Sequence, residues 1–413
     1  EVMDFLAVIH GEDRMMDIID VMDKKGLYLQ GHAPYVSGRM LSAYLCGGPN
    51  TCHETRDRKE ALEKLRSGMF VDARDSSITK NVQEVYEGVK GVRFFDHLCL
   101  CTDDREADDI LHVGHMNDVV RSAIRCGMDP VTAIKSATLN TAREIHLENL
   151  GAIAPGYVAD MLLVDDLTEL KPSHVFFGGK LVARDGKLTV EIPHREYPLE
   201  KVNTMCVKEL SREDFVIHAP VENGTVTVHV MEYPDLNLSS TLLTTAQLPV
   251  KNGEVCLEGE DLKFVAVVNR HKGHDTIGLG IVKGFGTTCG ALASTVSHDS
   301  HNLTIVYDTP ENALLAANAL IRCGGGMSAV KDGSLLHVLE LPLAGLISLK
   351  EAKDLAEDSQ KMKEANRALG LTGMENPLLR LVTLALPVIP NIKMSDLGMV
   401  DVLKKEFIPM FAE

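Results

Sequence analysis

The chain has 413 residues, 45% hydrophobic and 24% charged, which is enough for two or three domains and a large core. Its 42 basic and 59 acidic side chains leave a formal charge of −17, which argues against nucleic-acid phosphates or an anionic membrane as partners. No apolar run is long enough to span a bilayer, and no signal-peptide pattern opens the chain. The nine cysteines are an odd number with no CxxC pair, and they read as reduced thiols of a cytoplasmic protein.

The opening EVMDFLAVIH has no initiator Met and reads as the middle of a domain, so a preceding segment is expected. Residues 12–25 are charged and periodic, and GLYLQGHA predicts a strand ending in a turn. SGRMLSAYLCGG predicts a short helix with Ser37 as N-cap and Gly47 as stop. TCHET is a short strand, RKEALEKLRSG an amphipathic helix ended by Gly68, and MFVDARDSS a strand. ITKNVQEVYEGV is a helix and FFDHLCLCTDD a strand. HMNDVVRSAIRCGMDP is a helix ended by Gly127, and DPVTAIKSATLNTAREI gives one or two more.

Four alternations of strand and helix with short links predict a parallel sheet with helical crossovers. The C-terminal ends of these strands carry His32, His53, Arg74 and Asp103. In a (β/α)8 barrel that face is the catalytic one. The expected class is α/β: the second half of a TIM-type barrel over residues 1–150, with the other half upstream of Glu1. Residues 151–193, with GG and DG hairpin turns, form a small β-sandwich unit. Residues 194–413 form an α+β domain, in which DFVIHAP, GTVTVHVM, KFVAVVN, TIGLGIV and NLTIVYD read as strands. There, TPENALLAANALIRCGGG is a helix with Pro310 in its first turn and Gly324 past its end, and KEAKDLAEDSQKMKEANRALG is a long helix. NPLLRLVTLALPVIP reads as an apolar helical tail, buried against the core or a neighbour.

The adjacent Asp103 and Asp104, at the tip of an apolar strand, are costly to dehydrate without a positive partner. His32, His53 and Asp103 at three tips of one sheet supply imidazole and carboxylate donors suited to Zn²⁺, Fe²⁺ or Mn²⁺, and a cation would answer the charge of Asp103. Glu54 either steadies a ligand or is a solvent charge. Arg74 either holds substrate and site carboxylates or makes an ion pair at a strand end. Asp104 either orients a ligand or pairs with Arg105. His115, opening the helix of GHMND, is either a cap or a neighbour of the site.

EVMDF, GHAPYVSG, CHET, CTDDREADDIL followed by GHMND, ATLNTA and GAIAPGYVADMLLVD together carry a family likeness. The chain resembles the metal-dependent amidohydrolase superfamily and, within it, the bacterial and archaeal adenine deaminases. GFGTTCGALASTVSHDSHN is the most specific motif, because it resembles the C-terminal domain of that family. The resemblance covers essentially the whole chain. It implies a binuclear centre of Mn²⁺ or Fe²⁺, with Zn²⁺ as a further option, and hydrolysis of adenine to hypoxanthine in purine salvage by a small-molecule enzyme, a homodimer. It makes Glu1 the bridging carboxylate, His32 and His53 ligands, and Asp103 a ligand and proton shuttle, with Asp103 and His53 catalytic. The HxH pair of the superfamily is absent from these 413 residues. SHDSHN, with His298, Asp299 and His301, is either a surface turn or a lid over the barrel mouth that contacts substrate. The alternatives are a cyclic-amide hydrolase of the dihydropyrimidinase or dihydroorotase kind and a non-catalytic fragment or scaffold. The H-x-E…P-C-x-x-C pattern of zinc cytidine deaminases does not occur.

Overall fold

The structure, a computed structural model, describes residues 1–193, 195–236, 239–259, 261–374 and 376–412, with only the backbone at 378 and 379. The expected domain boundary at His194 thus falls outside the described residues. The chain divides into two compact units, Glu1–Arg195 and Glu196–Glu413.

In the first unit, α1 (Phe5–His10), α2 (Asp13–Lys24) and α3 (Gly38–Cys46) precede β1 (Thr51–Cys52), α4 (Arg58–Arg66), β2 (Phe70–Arg74), α5 (Val82–Val89) and β3 (Leu98–Cys101). Then come α6 (Ala107–His112), α7 (Met116–Arg125), α8 (Pro130–Ser136) and α9 (Leu139–Glu144). The strands β1–β2–β3 form a parallel sheet with Thr51 opposite Phe70 and Asp72 opposite Cys99. One residue of the expected strand GLYLQGHA is bridged: Gly31 makes a parallel bridge to Val2. The rest of that segment is not a strand, because the Gly31 N–H goes to the Thr51 hydroxyl at 2.7 Å rather than to a ladder carbonyl. Among the described residues the parallel sheet of this unit has three strands, and the Val2–Gly31 bridge stands apart from it.

Local chemistry explains the helix starts. The Asp57 carboxylate accepts from the N–H groups of Lys59 and Glu60 to begin α4, and Asp129 with Pro130 begins α8. Ser37 stands at the N-cap of α3, but its side chain makes no cap bond; instead the Gly38 N–H donates to Glu63 Oε1 at 2.7 Å. The helices bury Val82, Val85, Val119, Val120 and Ala123 against Val71, Ala73, Leu98 and Leu100. An antiparallel sheet follows: β4 (Met161–Val164), β5 (Pro172–Phe177), β6 (Lys180–Arg184) and β7 (Lys187–Leu188). Its turns are the expected ones: Gly178–Gly179 and Asp185–Gly186 all have positive φ, the geometry of a primed hairpin turn.

The second unit is built on nine strands in the order β10–β9–β8–β12–β11–β14–β13–β15–β16. They are β8 (Gly224–Glu232), β9 (Leu242–Lys251), β10 (Glu254–Val255), β11 (Leu262–Val268), β12 (Ile277–Lys283), β13 (Ala291–Ser294), β14 (Leu303–Tyr307), β15 (Gly326–Lys331) and β16 (Ser334–Glu340). All pairs are antiparallel except β8 with β12. Alternate residues of β11 serve two cores. Phe264, Ala266 and Val268 pack with Ala313, Ala316, Ala317 and Leu320 of α10 (Pro310–Cys323). Val265 and Val267 share a core with Met362 and Ala365 of α11 (Ala352–Ala368) and with Ile392 and Met394 of β17 (Ile392–Ser395). β17 pairs with β18 (Gly398–Asp401), which pairs with β19 (Glu406–Ile408).

Two expectations fail here. The segment DFVIHAP is not a strand: Ser211 and Asp214 form a capping box that starts a 3-10 turn over Arg212–Phe215. The apolar tail NPLLRLVTLALPVIP is not helical beyond a 3-10 turn at Pro377–Arg380, because Pro377, Pro387 and Pro390 interrupt any longer helix. Its Leu381, Val382, Leu384 and Ala385 are buried in the core of their own unit.

Candidate metal centre at the strand tips

Four of the expected ligands meet. Glu1 Oε1 lies 3.4 Å from His32 Nδ1 and 3.2 Å from His53 Nε2. The two imidazole nitrogens are 3.4 Å apart, and their rings meet at 66°. Asp103 Oδ1 lies 3.8 Å from His53 Nε2. His32 and His53 are 13% and 11% exposed at the side chain and Glu1 is 39% exposed, so the cluster opens to solvent on the side of Glu1.

Each ligand is held by the chain around it. Gly31 lets His32 approach β1: a Cβ there would sit 2.2 Å from Thr51 O and 2.6 Å from Tyr44 Oη. The His32 N–H then donates to Tyr44 Oη at 2.9 Å. His53 follows β1 directly, and its carbonyl accepts from Asn81 Nδ2 at 3.1 Å. Asn81 Oδ1 in turn accepts the Arg74 N–H at 2.7 Å, so one side chain ties the tips of β1 and β2 together. Asp103, two residues past β3, adopts a left-handed φ of 53°. Arg74, the last residue of β2, forks: Nη1 reaches Asp103 Oδ2 at 2.7 Å and Nη2 pairs with Glu54, which also pairs with Arg56.

Burial alone would raise the Glu1 carboxyl, but hydrogen bonds and charge from His32 and His53 hold it well below the usual carboxylate range. Burial would lower His53, but the hydrogen bond and charge of Glu1 outweigh this and raise it. Both directions reflect one close pair, the Glu1 carboxylate against the His53 imidazole. Two imidazoles and two carboxylates suit a divalent transition metal, and the candidate ligand atoms of Glu1, His32 and His53 all lie within 4.8 Å of one another. The donor set fits the metal that the resemblance implies.

The remaining candidates have the following partners. Arg105 pairs with Asp118 at 2.6 Å and donates to Asp75 O, and the Asp104 carbonyl accepts the Ser77 N–H. Asp104 and His115 are exposed; His115 stands at the N-cap position of α7 without a side-chain cap bond. His298, Asp299 and His301 belong to the second unit. Their loop is tied within it: Arg270 Nε donates to His301 O, His271 Nε2 bonds Ser300 O at 2.7 Å, and His301 Nδ1 accepts the Ser297 N–H. Burial and the charge of His298 lower the His301 imidazole. Asn81 and Tyr44 were not anticipated as partners of the site. Asn81 sits at the N-cap position of α5, where an Asn normally signals only a helix start.

Two family models match. Residues 1–182 match the amidohydrolase family, and residues 239–406 match the adenine deaminase C-terminal domain. Adenine deaminase 2 of Carboxydothermus hydrogenoformans is 37% identical over 413 residues, 99% of this chain and 70% of that one. The chain belongs to the adenine deaminase family. The adenine deaminases of Methanothrix thermoacetophila and Bacillus velezensis are each 37% identical too, with 100% and 99% of this chain and 71% of each relative covered. The chain thus spans about 70% of the length of these family members. No described helix is long and apolar enough to cross a membrane.

Proposed function

We propose that this chain catalyses the hydrolytic deamination of adenine to hypoxanthine and ammonia in purine salvage. The meeting of Glu1, His32 and His53 beside Asp103 carries the proposal. Glu1, His32, His53 and Asp103 would hold divalent metal, Mn²⁺ or Fe²⁺ in our reading. Metal bound there supplies the Lewis acidity that makes water a nucleophile at neutral pH.

The residues of the chain do the rest. Arg74 occupies Asp103 Oδ2, which leaves Oδ1 on the side of His53 to accept a proton from the attacking water. Asp103 returns that proton to the purine ring or to the departing amine, and the C6–N bond breaks as ammonia leaves. Glu54 balances the charge of Arg74 and fixes its fork, so it positions Asp103 without touching substrate. In this reading residues 1–150 carry the reaction and residues 194–413 are a separate domain. A homodimer and a cytoplasmic location belong to the same proposal; the nine free thiols support the second.

The test is metal removal. Chelation is expected to abolish the ultraviolet shift from adenine to hypoxanthine, and Mn²⁺ to restore it. Turnover that survives complete chelation would refute the proposal.

A further inference from the structure

A second polar cluster lies beneath the strand tips. Asp72 and Cys99 are register partners on β2 and β3, so their side chains leave the same face of the sheet. Arg74, two residues further along β2, shares that face and reaches Asp103, which places Asp72 and Cys99 one layer below the centre described above. Glu144, the last residue of α9, supplies a third donor. One ligand atom from each of the three lies within 4.8 Å of the others. All three are buried, at 3%, 1% and 4% exposure for Asp72, Cys99 and Glu144.

Each donor is also held from outside. Gln30 Nε2 donates to Asp72 Oδ2 at 2.9 Å, the Tyr28 hydroxyl donates to Glu144 Oε1 at 2.5 Å, and Thr141 hydrogen-bonds Cys99. Such outer partners orient ligands in metal sites. Asp72 Oδ1, its other oxygen, is buried with no fixed N–H or hydroxyl donor among the described residues, and only a proton shared with Glu144 bonds the two carboxyls in the absence of an ion. Two dehydrated carboxylates so close together repel one another unless a proton or a cation enters between them. Burial and the charge of Glu144 accordingly push the Asp72 acid well above its ordinary range, and burial with Asp72 pushes the Cys99 thiol up.

We propose that Asp72, Cys99 and Glu144 form a second divalent-metal site, for a thiophilic cation such as Zn²⁺. One thiolate and two carboxylates are three donor types that Zn²⁺ accepts, leaving the fourth position of a tetrahedral ion to water. Binding displaces the thiol proton of Cys99 and any proton held by the two carboxyls. The bound ion joins β2, β3 and α9 below Arg74, a structural role separate from hydrolysis.

The donor sets make the site testable, because the strand-tip cluster offers only nitrogen and oxygen. The 413-residue chain is stripped of metal, loaded with Co²⁺ and examined for a thiolate-to-Co²⁺ charge-transfer band. The band is expected in the unaltered chain and in His53→Asn, whereas His53→Asn loses adenine turnover. It is expected to vanish in Cys99→Ser and to persist in Cys101→Ser. Gln30→Leu keeps all three ligands and removes only the donor to Asp72; it is expected to weaken Co²⁺ at this site about 10–100-fold. No thiolate band in the unaltered chain, a band that survives Cys99→Ser, or one lost only in Cys101→Ser would overturn the site. An unchanged Co²⁺ affinity in Gln30→Leu would overturn the held geometry from which it is argued. Neither result would touch the deaminase reading, which rests on His53 and turnover.

Discussion

Arg74 Nη1 and Nη2 hold two carboxylates with one planar group, which a lysine cannot do. Arg74→Lys is expected to keep the fold and metal content but to lower kcat about 10–100-fold through the misplaced Asp103; steady-state kinetics with metal analysis checks this, and an unchanged kcat would remove Arg74 from the site. His53 sets the pH response. Its pKa lies above the usual 6.5, because Glu1 outweighs burial, and a protonated imidazole cannot ligate. Mn²⁺ affinity is therefore expected to fall as pH is lowered, beginning above 6.5, by about tenfold per pH unit. Glu1, held far lower, adds no titration in this range. Titration calorimetry between about pH 8 and pH 6 reads the slope, and a flat affinity would exclude His53 as a ligand. His32, His53 and Asp103 were legible as residues because each closes a short stretch that reads as a strand in the sequence, although only His53 and Asp103 follow one in the structure. Asn81 and Tyr44 were not, since they act through the backbones of His53, Arg74 and His32, and no spacing in the sequence marks a side chain-to-backbone bond.

The elements that were read well are those whose signals are local: α4 with its Asp57 cap, α10 with Pro310 and Gly324, and the Gly-Gly and Asp-Gly hairpins. GLYLQGHA was misread beyond Gly31, the one residue of it that makes a β-bridge, where the missing side chain brings His32 against Thr51. Gly31→Ala is expected to destabilise the chain by about 1–3 kcal/mol and to lower adenine turnover, because the methyl group must push His32 outward. Urea midpoints alongside kcat check it. DFVIHAP and the late apolar tail were misread because a capping box and three prolines override apolar periodicity. Lys393 on β17 makes a second prediction. It is fully buried, with Nζ donating to Ser239 O and Thr383 O, and burial, then Arg380, pushes its pKa down to about 7. Between about 7 and 10.5 the unfolded chain holds this proton more tightly than the folded one, so stability from this group rises with pH across that window and is constant below it. Lys393→Met is expected to flatten the rise, read by urea unfolding at about pH 7 and pH 9; an equal slope in both proteins would contradict the assignment.

At the scale of the whole molecule, the alternation of strand and helix was legible in the first unit because short buried runs alternate with amphipathic helices across short links. The order of the nine-stranded sheet was not legible. The neighbours β8 and β12, or β9 and β8, are chosen by long-range packing of two cores on opposite faces, and no local residue encodes that choice. Family membership joins the two units, since one model matches residues 1–182 and the other residues 239–406. The central claim is that Glu1, His32, His53 and Asp103 make one hydrolytic centre. Adenine turnover is therefore to be measured on the unaltered chain and on Asp103→Asn, both loaded with Mn²⁺ and matched for fold. The account predicts that conversion to hypoxanthine falls about 10²–10⁴-fold in the variant. Near-equal turnover in the two proteins would contradict it.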